Sequence, residues 1–224
     1  MLVIFDCDGV LVDSEPRSNA ALAAVLTAHG LPMTAEQATA EFLGRSWASC
    51  EARIAELLGR PAPAGLQAEY EAARDAAFRD GLEAVPGVRA AIDAVEADGA
   101  LTCVASSGDH AKMAFTLGLT GLHERFAGRI FSALDVAHGK PAPDLFLHAA
   151  ASMGVAPADC TVVEDSPVGV RAARAAGMTV LGFAGRTDPA ALAGADAVFG
   201  AMAELPRLVT PPGCGPRRSA GLRA

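Results

Sequence analysis

The 224-residue sequence predicts an α/β fold: a parallel sheet covered by helices on both faces, with an all-helical segment set in after the first strand. Three observations carry this. Short runs of continuous apolar or β-branched residues recur along the chain, as strands buried on both faces do. Longer helix-period stretches separate them, the alternation that builds a parallel sheet from crossover units. From about Ser14 to Asp80, however, only helical patterns occur.

The strands are expected at Leu2–Phe5, Leu101–Ala105, Arg129–Ser132, Thr161–Val163, Thr179–Phe183 and Ala195–Phe199. Between them, helices are expected at Val88–Asp98, Asp109–Leu117, Asp144–Met153 and Val168–Ala176. The insert reads as four further helices, Arg17–His29, Ala35–Phe42, Trp47–Leu58 and Leu66–Arg79, and the α/β pattern resumes near Val85-Pro86-Gly87. The expected organisation is therefore a core of residues 1–14 and 84–210, a helical insert of residues 15–83, and a tail, 211–224. That tail is rich in Pro, Gly and Arg and expected to be loosely ordered.

Composition excludes several function classes. With 51% hydrophobic and 20% charged residues the chain is too apolar for disorder. Its net charge is −8, and no run of basic residues precedes Arg217-Arg218. Nucleic acid and anionic membrane are thus not expected partners, because both need a basic face to replace counterions. A small phosphate ester is still compatible, if cations are focused at one cleft. The five cysteines are scattered and never form a CxxC pair, which suits free thiols in a reducing compartment. No secretory signal pattern and no stretch of about 20 apolar residues is found, so the expectation is a cytoplasmic protein, monomeric by default.

Four segments could carry chemistry. In Val3-Ile4-Phe5-Asp6-Cys7-Asp8-Gly9 an apolar strand ends in two acids two positions apart, and the glycine lets the backbone turn closely. Both carboxylates could approach one metal, although a solvated surface loop would read the same way. In Thr161-Val162-Val163-Glu164-Asp165-Ser166-Pro167 a second strand ends in acids before an N-cap serine and a first-turn proline. These acids could instead complement a helix dipole. Two acidic strand ends in one parallel sheet favour a shared hard cation, and oxygen-only donors suit Mg²⁺ over zinc. Ser106-Ser107-Gly108 follows a strand and offers hydroxyls and N–H groups to an anion, or an ordinary helix cap. Finally, Lys140 stands in the proline-stiffened Gly139-Lys140-Pro141-Ala142-Pro143. It and Lys112 are the only lysines among 18 basic residues. A lysine kept in so arginine-rich a chain suggests a task for a compact ammonium. All four segments lie at or beyond the carboxyl ends of strands, where open α/β sheets bind ligands.

With these segments the chain resembles the haloacid dehalogenase superfamily, in the subgroup with a helical cap inserted after the first strand, over roughly Leu2 to Val209. The four motifs match as Asp6-Cys7-Asp8-Gly9-Val10-Leu11-Val12-Asp13-Ser14-Glu15, Ser106, Lys140 and Glu164-Asp165. Lys140-Pro141-Ala142-Pro143-Asp144 and Asp165-Ser166-Pro167-Val168-Gly169 bring it near the β-phosphoglucomutase-like and sugar-phosphatase branch. The resemblance implies a Rossmann-like, three-layer αβα core with an inserted cap. It implies a phosphatase in which Asp6 attacks phosphorus, forming an aspartyl-phosphate, and Asp8 protonates the leaving group and later activates water. It assigns Mg²⁺ to Asp6, the Asp8 backbone carbonyl and Asp165, with Glu164 supporting. It gives Ser106, Ser107, Gly108 and Lys140 the phosphoryl oxygens, and the cap loop Gly44, Arg45, Ser46 and Trp47 the rest of the substrate.

Neighbouring subfamilies are set aside on single residues. The dehalogenases and phosphonatases lack an acid at the Asp8 position, and the phosphonatase cap lysine has no counterpart, since Ser14–Asp80 holds no lysine. β-Phosphoglucomutases carry a cap histidine where Ser18 stands and an arginine where Trp47 stands. Loss of those groups should leave the intermediate to water, so phosphatase is expected over mutase. Receiver modules also use strand-end acids and a lysine, but are much shorter and uncapped.

Overall fold

The structure is a computed structural model that describes residues 1–42 and 46–209. The sheet consists of β1 (Leu2–Phe5), β2 (Leu101–Ser106), β3 (Ile130–Ser132), β4 (Cys160–Glu164), β5 (Thr179–Phe183) and β6 (Ala197–Phe199). All pairings are parallel, in the spatial order β3-β2-β1-β4-β5-β6. The chain thus reverses its direction of winding beside β1, which puts the ends of β1, β2 and β4 at the switch point of the sheet.

Successive strand residues point to opposite faces, so the sheet supplies two cores. Val3, Phe5, Val104 and Val163 pack with α5 (Val88–Ala97), α6 (His110–Leu119) and α9 (Leu205–Val209). Leu2, Ile4, Cys103, Ala105 and Val162 pack on the other side with α7 (Asp144–Ser152) and α8 (Pro167–Ala175). This is the three-layer αβα arrangement expected of strands with no polar face.

The insert contributes α1 (Glu15–Ala28), α2 (Ala35–Phe42), α3 (Trp47–Leu58) and α4 (Leu66–Arg79). These four bury their own cluster of Leu22, Leu26, Phe42, Ile54 and Leu66, while Phe78 at the end of α4 joins the sheet's core. The two chain crossings between insert and sheet run side by side. Asp13 N donates to Glu83 O at 2.9 Å, and Val85 N to Leu11 O at 3.0 Å. No helix among the described residues is long and apolar enough to cross a membrane.

Two departures from the sequence reading have tertiary causes. β2 and β4 run one residue further than expected, taking in Ser106 and Glu164, because these pair with Ser132 and Gly182 on neighbouring strands. β6 starts at Ala197 rather than Ala195. Ala195 N closes a turn on Leu192 O, and Asp196 donates its backbone N–H to Val180 O but takes Val180 N with its carboxylate, so the regular pairing begins at Ala197. The expected tail, 211–224, lies outside the described residues.

Candidate active site

Parallel register brings the charged residues together. Phe5 pairs with Val163, so the residues that follow, Asp6 and Glu164, leave adjacent strands side by side. Asp6 N donates to Val163 O at 3.0 Å, which fixes its backbone. Asp6 is 8% exposed and Glu164 fully buried. Oxygens of Asp6, Glu164 and Asp165 all lie within 4.8 Å of one another. Two glycines permit this crowding. A Cβ on Gly9, whose φ is +76°, would stand 1.9 Å from Asp165 Oδ2, and one on Gly169 would stand 1.8 Å from Glu164 Oε1.

Lys140 comes from the loop after β3 and bridges the acids. Its Nζ donates to Asp6 Oδ1 at 2.9 Å, to Glu164 Oε1 at 2.5 Å and to Ala105 O at 3.2 Å. Its side chain is 4% exposed. Burial works against its charge, but the two carboxylates outweigh it and hold its pKa above the ordinary lysine value. One lysine does not balance three acids. Burial pushes Asp6 up to about 6, with Lys140 opposing and Glu164 and Asp8 adding. Burial, then the charges of Asp6 and Glu164, hold Asp165 well above the carboxylate range. Desolvated carboxylates with excess negative charge and only oxygen donors fit a hard divalent cation, and Asp6, Asp165 and Glu164 could hold Mg²⁺.

Asp8 takes a different path. Its side chain is not in the acidic group. Oδ1 accepts from Ser14 Oγ at 2.7 Å, and Oδ2 from Lys112 Nζ at 2.6 Å. Burial alone would raise its pKa. Lys112, Ser14 and the nearby Arg74 together outweigh that and hold it below the usual value. Any metal role for Asp8 is thus left to its backbone carbonyl. Cys7, between the two aspartates, is buried, and its thiol is pushed well up by burial and by the charges of Asp8 and Asp6.

Ser106 is buried at the end of β2, where its Oγ accepts from Gly108 N at 3.2 Å. Ser107 is exposed beside it. The helix cap that this segment might have served falls to Asp109, whose carboxylate accepts from Lys112 N at 2.7 Å. Ser106 to Gly108 are therefore not needed to cap α6. Of the proposed cap loop, Gly44 and Arg45 lie outside the described residues. Ser46 caps α3 by accepting from Ser49 N, and Trp47 stacks on Tyr70 with ring centroids 5.5 Å apart. Tyr70 Oη donates to Ser18 Oγ at 3.4 Å, in the insert.

Sequence reading missed Lys112, Ser14 and Arg74 around Asp8. The signal for Lys112 was available: it is the other lysine in an arginine-rich chain. Arg74 gives none, being one arginine among many on a helical pattern.

Residues 1–177 match the family of haloacid dehalogenase-like hydrolases. The 6-phosphogluconate phosphatase of Escherichia coli is 33% identical over 183 residues, covering 81% of each chain. A haloacid dehalogenase-like protein of unknown function from Agrobacterium tumefaciens is 34% identical, with a TM-score of 0.83 over 93% of this chain and 96% of that one. A putative β-phosphoglucomutase from Thermotoga maritima is 28% identical, with a TM-score of 0.79 over 93% and 97%. The chain belongs to the haloacid dehalogenase-like hydrolases, in the β-phosphoglucomutase-like and sugar-phosphatase branch. Its reaction class is phosphoric monoester hydrolysis.

Proposed function

We propose that this chain is a Mg²⁺-dependent phosphatase of a small phosphorylated metabolite, a sugar phosphate or similar polyol or sugar acid. In this reading it works through an aspartyl-phosphate on Asp6. The observation that carries the reading is the acidic group of Asp6, Glu164 and Asp165 closed by Lys140 at the ends of adjacent strands. Both Asp6 and Glu164 are bonded to Lys140, but Glu164 is fully buried, whereas Asp6 keeps some exposure at the end of β1. Attack by Asp6 on phosphorus breaks the ester bond and splits one displacement into two. Ser106, the Ser107 N–H and Lys140 hold the phosphoryl oxygens as charge develops. When bound, Mg²⁺ supplies positive charge that offsets repulsion between carboxylate and phosphate. Asp8, which Lys112 and Ser14 hold ionised in the substrate-free site, takes up a proton as the negative charge of the phosphate ester enters, gives it to the leaving oxygen and later takes one from water. Residues 15–83 serve as the cap that closes over the substrate.

The mutase alternative lacks its histidine, since Ser18 stands there and accepts from Tyr70. The test is phosphate release from a panel of small phosphate esters with Mg²⁺, wild type beside Asp6→Asn. The expected result is turnover of one substrate group that EDTA abolishes and the variant lowers by about 10⁴-fold or more. Isomerisation of a sugar phosphate without phosphate release would replace this reading with the mutase one.

A further inference from the structure

We infer that Lys112 is a positioning residue that acts through Asp8, an inference resting on the reading of Asp8 as the proton-handling acid. Three observations converge on it. The ammonium of Lys112 meets Asp8 Oδ2 at 2.6 Å while Ser14 takes Oδ1 at 2.7 Å, so both oxygens of one carboxylate are held from two sides. A carboxylate gripped at both oxygens has its side-chain torsions fixed, whereas one gripped at a single oxygen can still swing.

The second observation is where Lys112 begins. It stands in the first turn of α6, and its backbone N–H is capped by Asp109 at 2.7 Å. A Cβ on Gly108 would lie 3.6 Å from Lys112 Cδ and 3.7 Å from Ser106 Oγ. The lysine stem therefore crosses the Ser106–Gly108 turn, and one rigid helix start sets both the anion seat and the position of Asp8.

The third is economy of residue type. The chain has two lysines, and each is bonded to one of the first two aspartates of a single motif: Lys140 to Asp6 and Lys112 to Asp8. Lys112 is also half-covered, 28% exposed, and not a freely solvated surface charge. Arg74 of the insert lies close enough to act electrostatically on both Asp8 and Lys112. It does not bond Asp8, so Lys112 and Ser14 remain the contacts that orient it.

The test compares Lys112→Met and Lys112→Arg with wild type on an alkyl phosphate that the wild type hydrolyses, and on p-nitrophenyl phosphate. Misplacing a group that must transfer a proton lowers kcat by about 10- to 100-fold while KM stays within about twofold. Lys112→Arg, which keeps the cation, should stay within about fivefold of wild type. In an Asp8→Asn background, Lys112→Met should cost less than about a further twofold in residual p-nitrophenyl phosphate turnover, because the residue it acts through is gone. Thermal melting of each variant separates misfolding from misplacement. An undiminished kcat, a rise confined to KM, or a loss repeated in full on the Asp8→Asn background would each overturn the inference. If the wild type is active and only these results fail, the phosphatase reading stands. A wild type that hydrolyses no ester removes both.

Discussion

Asp6 lies among two further acids and bonds a single lysine, whereas Asp8, two residues along the same loop, stands outside the acidic group and bonds a lysine and a serine hydroxyl. The outcome is opposite. Burial with excess negative charge lifts Asp6 to about 6, while counter-charge holds Asp8 below the ordinary range. Burial acts the same way on both, so it does not decide the difference. The neighbours each one meets decide it, and those come from β4, from α6 and from the loop after β3. A pair of acids two apart in sequence is therefore two chemical sites, one short of positive charge and one supplied with it.

The largest disturbance of this contrast should come from Lys140→Met. It leaves buried Asp6 and Glu164 without their counter-charge, and removing one partner of a buried pair costs about 3–5 kcal/mol. For a domain of this size that is a fall in Tm of about 10 °C, read by thermal melting without metal. Mg²⁺ should sharpen the contrast from the other side. At a free concentration about 100 times its Kd it should stabilise by about 2.7 kcal/mol. The effect depends on pH. Asp6 has its folded-state pKa raised to about 6, and Asp165 is raised in the same direction, so the contribution of Asp6 is fully present below pH 3.8 and is lost as pH rises through about 6. The metal-free protein should thus lose stability across that window, and added Mg²⁺ should raise Tm more at pH 8 than at pH 5. An equal rise at both values would break the account of an uncompensated acidic group.

On the Asp8 side, Ser14→Ala removes one of two bonds to a charged, part-buried carboxylate, for which about 1.5 kcal/mol is expected by denaturant titration. Its effect on Tm should not change with Mg²⁺, since the bond lies outside the acidic group. The smallest effect should be that of Arg186→Ala. Arg186 donates twice to Asp13 at 2.6 Å, but it is 53% exposed, and such pairs contribute under about 1 kcal/mol.

What could be read without coordinates follows a simple pattern. The two faces of the sheet were legible because residues such as Val3, Ile4, Val162 and Val163 are apolar without alternation, and only a doubly covered strand tolerates that. The insert was legible because no strand pattern interrupts its helical periods. The acids and Lys140 were legible as motifs at strand ends. The surroundings of Asp8 were not. Ser14 is six residues away and Lys112 more than a hundred, and no local spacing records that α6 starts where its third residue can reach back to the first loop. The contacts of Tyr70 with Trp47 and Ser18 were equally hidden, because they arise through the packing of three helices.

The sequence by itself determined the layers, the insert and the kinds of side chain at the strand ends, because hydrophobic burial is local and periodic along the chain. The tertiary structure decided which charge meets which. Coulomb interactions between buried groups depend on distances of a few ångströms set by strand register and helix starts, and these are fixed only once the whole sheet has assembled.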